Sequence, residues 1–194
     1  MEKKKRAGKR KQYLDDFRPA VNGEYVYTGN YYSQEMERPD FSRLRGFIIA
    51  AVVITAGFVL AAGLLPAAGS INCFYVILPF LAVIISCCIT AWKVLSLLLS
   101  GYSVRKYIYE NTVPLIPVWI KAGIISSAAT LISETVFLSI NGFKGRELQT
   151  VIFIFLIVLS IAGYLLVLRL IKRISWKKED CEREVEVSKK LTSE

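Results

Sequence analysis

The sequence predicts an all-α integral membrane protein with four transmembrane helices in an antiparallel up-and-down bundle and a partly disordered N-terminal cytoplasmic segment. Hydrophobic residues make up 54% of the 194 residues and the mean hydropathy is +0.43, more than a soluble domain of this size hides in its core. The apolar residues also form long runs, and crossing a hydrocarbon core of about 30 Å takes about 20 helical residues. A helix satisfies its own backbone hydrogen bonds in lipid. The predicted spans are residues 46–65, 73–98, 117–140 and 149–170.

Most of the basic residues lie on one side of this predicted bundle. Residues 1–45 carry 11 Lys and Arg, the loop 100–111 carries two and the tail from Arg169 carries eight, against two on the other side, Lys144 and Arg146. Cytoplasmic loops are enriched in Lys and Arg. We therefore expect a multi-pass protein of the cell membrane with both termini in the cytoplasm.

Residues 1–45 form a basic, Tyr-rich cytoplasmic segment. Its basic leader, residues 1–11, predicts contact with anionic lipid worth about 1 kcal/mol per basic residue near the surface, although a solvated, disordered leader explains the same charges. Nucleic-acid binding is not expected, because no RNA- or DNA-binding module accompanies the leader. Residues 24–28 and 31–33 flank Gly29-Asn30, a pair suited to a tight turn. They predict a short β-hairpin.

The predicted transmembrane domain covers residues 46–171. Its first span has an alternative interpretation as a secretory signal peptide, but a long hydrophilic segment precedes it and it exceeds the 7 to 15 residues of a signal core. The connections after the first and third spans are short, which favours antiparallel neighbours. Gly57 and Ala61 in the first span have the small-xxx-small spacing that lets helices pack closely in lipid, and Ala50, Ala51 and Ala62 add further small positions.

Residues 172–194 form a charged cytoplasmic tail. Glu179 with Arg183, and Glu186 with Lys190, are spaced i,i+4 in the favourable order. The tail is therefore predicted to contain a short exposed helix, a pattern more typical of a soluble tail than of a recognition helix.

The residue types needed for catalysis or metal binding are scarce. The chain has four Cys and no His, and the predicted positions of the Cys do not pair them in an oxidising compartment. Zinc sites built on His or on Cys pairs are excluded by ligand supply. The P-loop, the dinucleotide-binding fingerprint and the serine elbow are absent from the sequence. We expect no enzymatic activity, no cofactor and no metal.

Three ionisable residues lie inside predicted spans, where each is a functional hypothesis by default. Lys93 and Lys121 are close enough to the cytoplasmic boundary for their long side chains to reach it, so they are interpreted as interfacial charges. Glu134 lies about 9 Å along the helix from Ile140 at the opposite end. A carboxylate is too short to reach the interface as a lysine does.

Glu134 also ends a stripe of small and polar residues on the third span, formed by Ala122, Ser126, Thr130 and Glu134 at i+4 steps. One interpretation is a close helix-packing face, with hydroxyls bonded across it or to their own backbone. The other is a polar path, lined by Ser126 and Thr130, in which Glu134 exchanges a proton or holds a cation.

These observations predict a small membrane protein without enzymatic activity, acting as an accessory or interaction subunit of a membrane complex or as a homo-oligomer. Its expected partners are the lipid bilayer and either another protein or further copies of itself. The alternative is a subunit of a small transporter or channel with a polar path along the third helix near Glu134. Four helices enclose little room, so that alternative requires oligomerisation.

Overall fold

The structure, a computed structural model, describes residues 17–19, 25–27, 31–101 and 103–179. The described chain is mostly helical, and four of its helices are long and apolar enough to cross a membrane. The helices are α1 (Arg38–Leu64), α2 (Ala68–Asn72), α3 (Phe74–Leu99), α4 (Lys106–Thr112), α5 (Ile116–Asn141) and α6 (Glu147–Ile171). The strands are β1 (Phe17–Pro19), β2 (Tyr25–Tyr27), β3 (Tyr31–Gln34), β4 (Ser103–Arg105) and β5 (Trp176–Glu179).

The four long helices correspond to the four predicted spans. The ends of α3, α5 and α6 fall within two residues of the predicted limits, whereas α1 begins eight residues before the predicted start at Gly46. Pro39 occupies the first turn of α1, where its missing N–H breaks no helical hydrogen bond. Phe41 then buries its ring in the core, which extends the helix beyond the apolar run.

The long helices pack in a ring. Each is in contact with the long helix before it and the long helix after it, and α6 closes the ring by packing on α1. The connections that contain α2 and residues 142–146 lie together at one end of this ring, joined by a hydrogen bond from Arg146 to the Pro66 carbonyl. We call this the α2 end, and the opposite end the sheet end.

The sheet end carries an antiparallel three-stranded sheet of order β4-β3-β5. The central strand β3 pairs Tyr32 with Val104 of β4 and with Lys178 of β5. Tyr32 also stacks on Tyr109 of α4 at 3.9 Å between ring centroids, and Trp176 meets the same Tyr109 ring edge-on at 5.6 Å. The sheet thus ties together the segment before α1, the α3–α5 connection and the segment after α6.

The strand pairing differs from the predicted hairpin. Strand β2 pairs with β1 rather than with β3, and β3 lies in the other sheet. The reason is that β3 gains two partner strands and an aromatic contact at the sheet end, whereas an isolated two-stranded hairpin is marginally stable in water. The turn residues Gly29-Asn30 and the leader 1–11 lie outside the described residues.

The tail also begins differently from its prediction. Residues 176–179 form strand β5 rather than helix, because they complete the sheet beside β3. Arg183, Glu186 and Lys190, on which the predicted tail helix depends, lie outside the described residues.

Candidate functional site

Glu134 is fully buried near the α2 end of the bundle. Its Oε1 atom accepts a hydrogen bond from the backbone N–H of Gly69 at 3.0 Å. Its Oε2 atom is buried as well and has no hydrogen-bond partner among the described residues. The carboxyl group therefore points at the short helix α2 rather than along the axis of α5.

The first turn of α2 takes its hydrogen-bond acceptors from two other helices. The first N–H groups of any helix lack partners within the helix, and the N-cap residue Ala67 has no side-chain acceptor to offer. Thr150 of α6 supplies one, since its Oγ1 atom accepts a hydrogen bond from the Ala68 N–H at 3.0 Å. Glu134 of α5 supplies the next through the Gly69 N–H. The two side chains together cap a helix that cannot cap itself.

The contact between Glu134 and Gly69 requires a residue without a side chain. A Cβ atom at Gly69 would overlap the Oε2 atom of Glu134 and lie 2.9 Å from its Cδ atom, closer than real Cβ contacts come. Alanine at this position would therefore push the carboxyl group away from α2.

The hydroxyls of the predicted stripe bond to their own helix. Ser126 donates to the Ala122 carbonyl at 2.8 Å, and Thr130 donates to the Ser126 carbonyl at 2.9 Å. Such i−4 bonds satisfy a hydroxyl in an apolar environment without any outside partner. Thr130 is fully buried with Glu134, whereas Ser126 is half-buried at the margin of the packed face.

The buried face of α5 is rotated slightly from the predicted stripe, because i+4 steps drift around a helix of 3.6 residues per turn. It runs through Ile116, Ile120, Gly123, Ser127, Thr130, Glu134 and Phe137. Gly123 admits the Tyr164 ring of α6, which a Cβ atom at Gly123 would approach to 2.7 Å. This part of the face is a close helix-packing surface.

A small cavity lies in the bundle interior beside this surface. It measures about 10 Å³ and is lined by residues of α1, α3 and α6, among them Thr55, Cys87, Thr90 and Tyr164. The hydroxyls of Thr90 and Tyr164 are buried and have no hydrogen-bond partner within the described chain. About one water molecule fits such a volume, which is too little for a permeation path.

The two lysines predicted to be interfacial lie away from Glu134. Lys93 donates from Nζ to the backbone carbonyl of Asn111, at the end of α4, at 3.0 Å. Lys121 is exposed on α5, about 8 Å along the helix from Ile116. Both cations therefore lie in the half of the bundle that carries the sheet, whereas Glu134 lies in the other half.

Within the described ranges, no three His, Cys, Asp or Glu side chains lie close enough together to hold a metal ion. Cys73, Cys87 and Cys88 are free thiols. Ser126, Thr130 and Glu134 do not form a nucleophile and base arrangement, because both hydroxyls are donated to backbone carbonyls of α5.

Sequence reasoning missed the residues that complete the Glu134 site. Thr150 gives no signal in the sequence, because its partner Ala68 is 82 residues away. Gly69 lies in a run of small residues after the first span, a composition that fits a connection or the cleavage site of a signal peptide. Glu134 itself was found because a carboxylate inside an apolar run is rare.

Comparisons of the chain with protein-family profiles, with curated proteins and with solved structures give no match.

Proposed function

We propose that this chain is a multi-pass protein of the cell membrane, with α1, α3, α5 and α6 crossing the bilayer as an antiparallel up-and-down bundle and both termini in the cytoplasm. Support comes from the apolar outer surface of the long helices. Buried positions include Glu134, Thr130 and Thr150, whereas large apolar side chains such as Leu60, Ile125 and Phe155 are more than half exposed. A soluble protein rarely exposes so much contiguous apolar surface. A lipid bilayer accommodates such an apolar surface.

We propose further that the protein acts without enzymatic activity, by association of α1 with another transmembrane helix. The observation that carries this is the small-residue face of α1, which we define as Gly46, Ala50, Gly57 and Ala61. All four are exposed, and at 100° per residue they fall within about 60° of one another. Small residues allow the close backbone approach that drives helix association in lipid.

Four glycines of the long helices differ in their surroundings, and this difference makes the face distinctive. Within the bundle, Cβ atoms at Gly123 and Gly163 would collide with Tyr164 and Thr55, so those glycines are required by contacts inside the protein. At Gly46 and Gly57, a Cβ atom would meet no heavy atom within 4 Å. Glycine in a helix interior costs about 1 kcal/mol relative to alanine. An external helix packed on this face would offset that cost, because glycine allows the two backbones to approach closely.

Gly57→Leu tests the proposal. The variant leaves the bundle interior untouched but prevents close approach to α1, so complexes recovered in mild detergent should be lost. Two differently tagged copies expressed together, followed by pull-down and mass spectrometry, distinguish self-association from a partner subunit. Ala162→Leu is the matched control, since Ala162 is exposed on α6. Recovery of the same complexes with Gly57→Leu as with Ala162→Leu would reject association through α1.

A transport or channel subunit is the second candidate. One observation favours it: the buried Oε2 atom of Glu134 has no hydrogen-bond partner among the residues the structure describes. The hydrogen bonds of Ser126 and Thr130 to their own helix and the single-water size of the interior cavity favour association instead.

A further inference from the structure

The α2 end of the bundle has an open, mainly apolar groove of about 350 Å³, at the lower end of the range for ligand sites. It is lined by residues 62–66, Ser70, Ile71, Ile77, Phe80 and Phe153. Ser70 is the one polar side chain among these lining residues, and its hydroxyl donates to the Ala67 carbonyl at 3.0 Å. Phe80 and Phe153 each lie six residues into their helices, about 9 Å along the helix from its first residue.

A cation stands at the rim of this groove. Nη1 of Arg146 donates to the carbonyl of Pro66, one of the lining residues, at 3.1 Å. That bond uses one of the five N–H donors of the guanidinium group and holds the side chain in place. The nearby Lys144 differs, because its Nζ atom lies 5.2 Å from the centroid of the Phe137 ring. Arg146 is therefore the cation positioned by the groove itself.

We propose that this groove binds an anionic phospholipid from the leaflet at the α2 end, with one acyl chain in the groove and the phosphate on Arg146. The proposal depends on the proposed crossing of the membrane. A planar guanidinium group matches a phosphate oxygen pair through parallel hydrogen bonds. An acyl chain fills an apolar cleft that opens on lipid and supplies the dispersion contacts that an empty cleft lacks.

The chemistry of the groove favours a phospholipid over the transmembrane helix of a partner. Arg146 lies beside the lining residue Pro66. A phospholipid carries a phosphate and an acyl chain in one molecule, so one ligand matches both the guanidinium group and the apolar lining.

The experiment uses the full chain in nanodiscs containing equal amounts of phosphatidylglycerol and phosphatidylcholine, followed by native mass spectrometry of the lipids retained on the protein. Arg146→Gln should lower retention of phosphatidylglycerol about tenfold. The reason is that losing one hydrogen bond to a charged group weakens binding by about that factor. Lys144→Gln removes the same charge from the same connection and should change retention less than twofold. Arg146→Lys keeps the positive charge but lacks the paired N–H donors of the guanidinium group, so its retention of phosphatidylglycerol should lie between that of wild type and that of Arg146→Gln.

A second variant tests the groove itself. Gly63 lines it, and a Cβ atom there makes only ordinary contacts with the Phe80 ring at 3.4 Å, so Gly63→Leu fills the groove without disturbing the core. Retention of both lipids should fall, whereas Ala162→Leu should leave it unchanged. Inorganic phosphate in excess should not displace the lipid; displacement would assign the site to free phosphate.

Equal retention of phosphatidylglycerol by Arg146→Gln and Lys144→Gln, in protein that has entered the nanodiscs, would overturn the lipid site and leave the proposed function standing. A wild-type chain that fails to enter nanodiscs would refute the proposed membrane crossing instead. The two failures are thus separate results.

Discussion

Replacing Glu134 with Ala removes the side chain that holds α2 against α5. The Gly69 N–H would remain buried without its 3.0 Å acceptor, at a cost of about 1–3 kcal/mol. Truncating a fully buried side chain of this size to Ala leaves a cavity that costs about 2–5 kcal/mol in soluble proteins. Part of that cost is relieved if α2 moves inward. We expect the free energy of unfolding to fall by about 3–5 kcal/mol.

Two further variants separate the contribution of the hydrogen bond to the free energy of unfolding from the contribution of the lost side-chain volume. Glu134→Gln keeps an amide oxygen where Oε1 accepts from Gly69, so the free energy of unfolding should change by less than about 1 kcal/mol. Thr150→Val nearly conserves volume but removes the acceptor of the Ala68 N–H, at about 1–3 kcal/mol. Both caps hold the same five-residue helix. The double variant Glu134→Ala with Thr150→Val should therefore cost less than the two single changes together.

Unfolding in mixed micelles with increasing sodium dodecyl sulfate, followed by far-ultraviolet circular dichroism, measures these differences. Hydrogen exchange at residues 68–72 reports whether α2 is released. Equal stability of Glu134→Ala and wild type would refute the capping role, as would equal losses in Glu134→Ala and Glu134→Gln.

Two other predictions concern packing. Gly123→Ala should lower the free energy of unfolding by about 1–3 kcal/mol, because its Cβ atom would lie 2.7 Å from Cζ of Tyr164. Gly57→Ala should leave the free energy of unfolding unchanged or raise it by up to about 1 kcal/mol. A loss in Gly57→Ala as large as that in Gly123→Ala, in the same micelle titration, would contradict the division of the glycines. Tyr32→Leu removes the ring stacked on Tyr109 and should weaken the sheet by about 0.5–1.5 kcal/mol, seen as faster hydrogen exchange in β3 with unchanged exchange in α5. Unchanged exchange in β3 would show that strand pairing alone holds the sheet.

The long helices were predictable from sequence because each is encoded by a long, mostly apolar run of its own. The sheet was not, since β3 finds its partners at residues 103–105 and 176–179, far along the chain. Strands of three or four residues leave too short a pattern to recognise, and the local turn signal at Gly29-Asn30 favoured a nearer partner. Non-local pairing prevailed because the helix ends bring these segments together.

The candidate site was predictable only in part, for the same physical reason. Glu134 was identified from the cost of burying a carboxylate in an apolar run, which depends on local sequence alone. Its partner Gly69 lies 65 residues away and in a helix of five residues, too short for a periodic pattern. Only the fold shows that the carboxyl group caps α2. This contact favours the packing interpretation of the stripe, and both the packing and the transport interpretation stay predictions.

Glu134→Gln also separates the two proposed functions, because stability and flux respond to different atoms of the side chain. Capping α2 needs an oxygen acceptor, which the amide keeps. Exchange of a proton or binding of a cation needs an ionisable carboxyl group, which the amide lacks. In proteoliposomes loaded with a pH-sensitive dye, a folded Glu134→Gln variant that abolishes a wild-type proton flux would favour transport over association. The same flux in wild type, variant and protein-free liposomes would leave Glu134 with its structural role, since transport then has no carboxyl-dependent step.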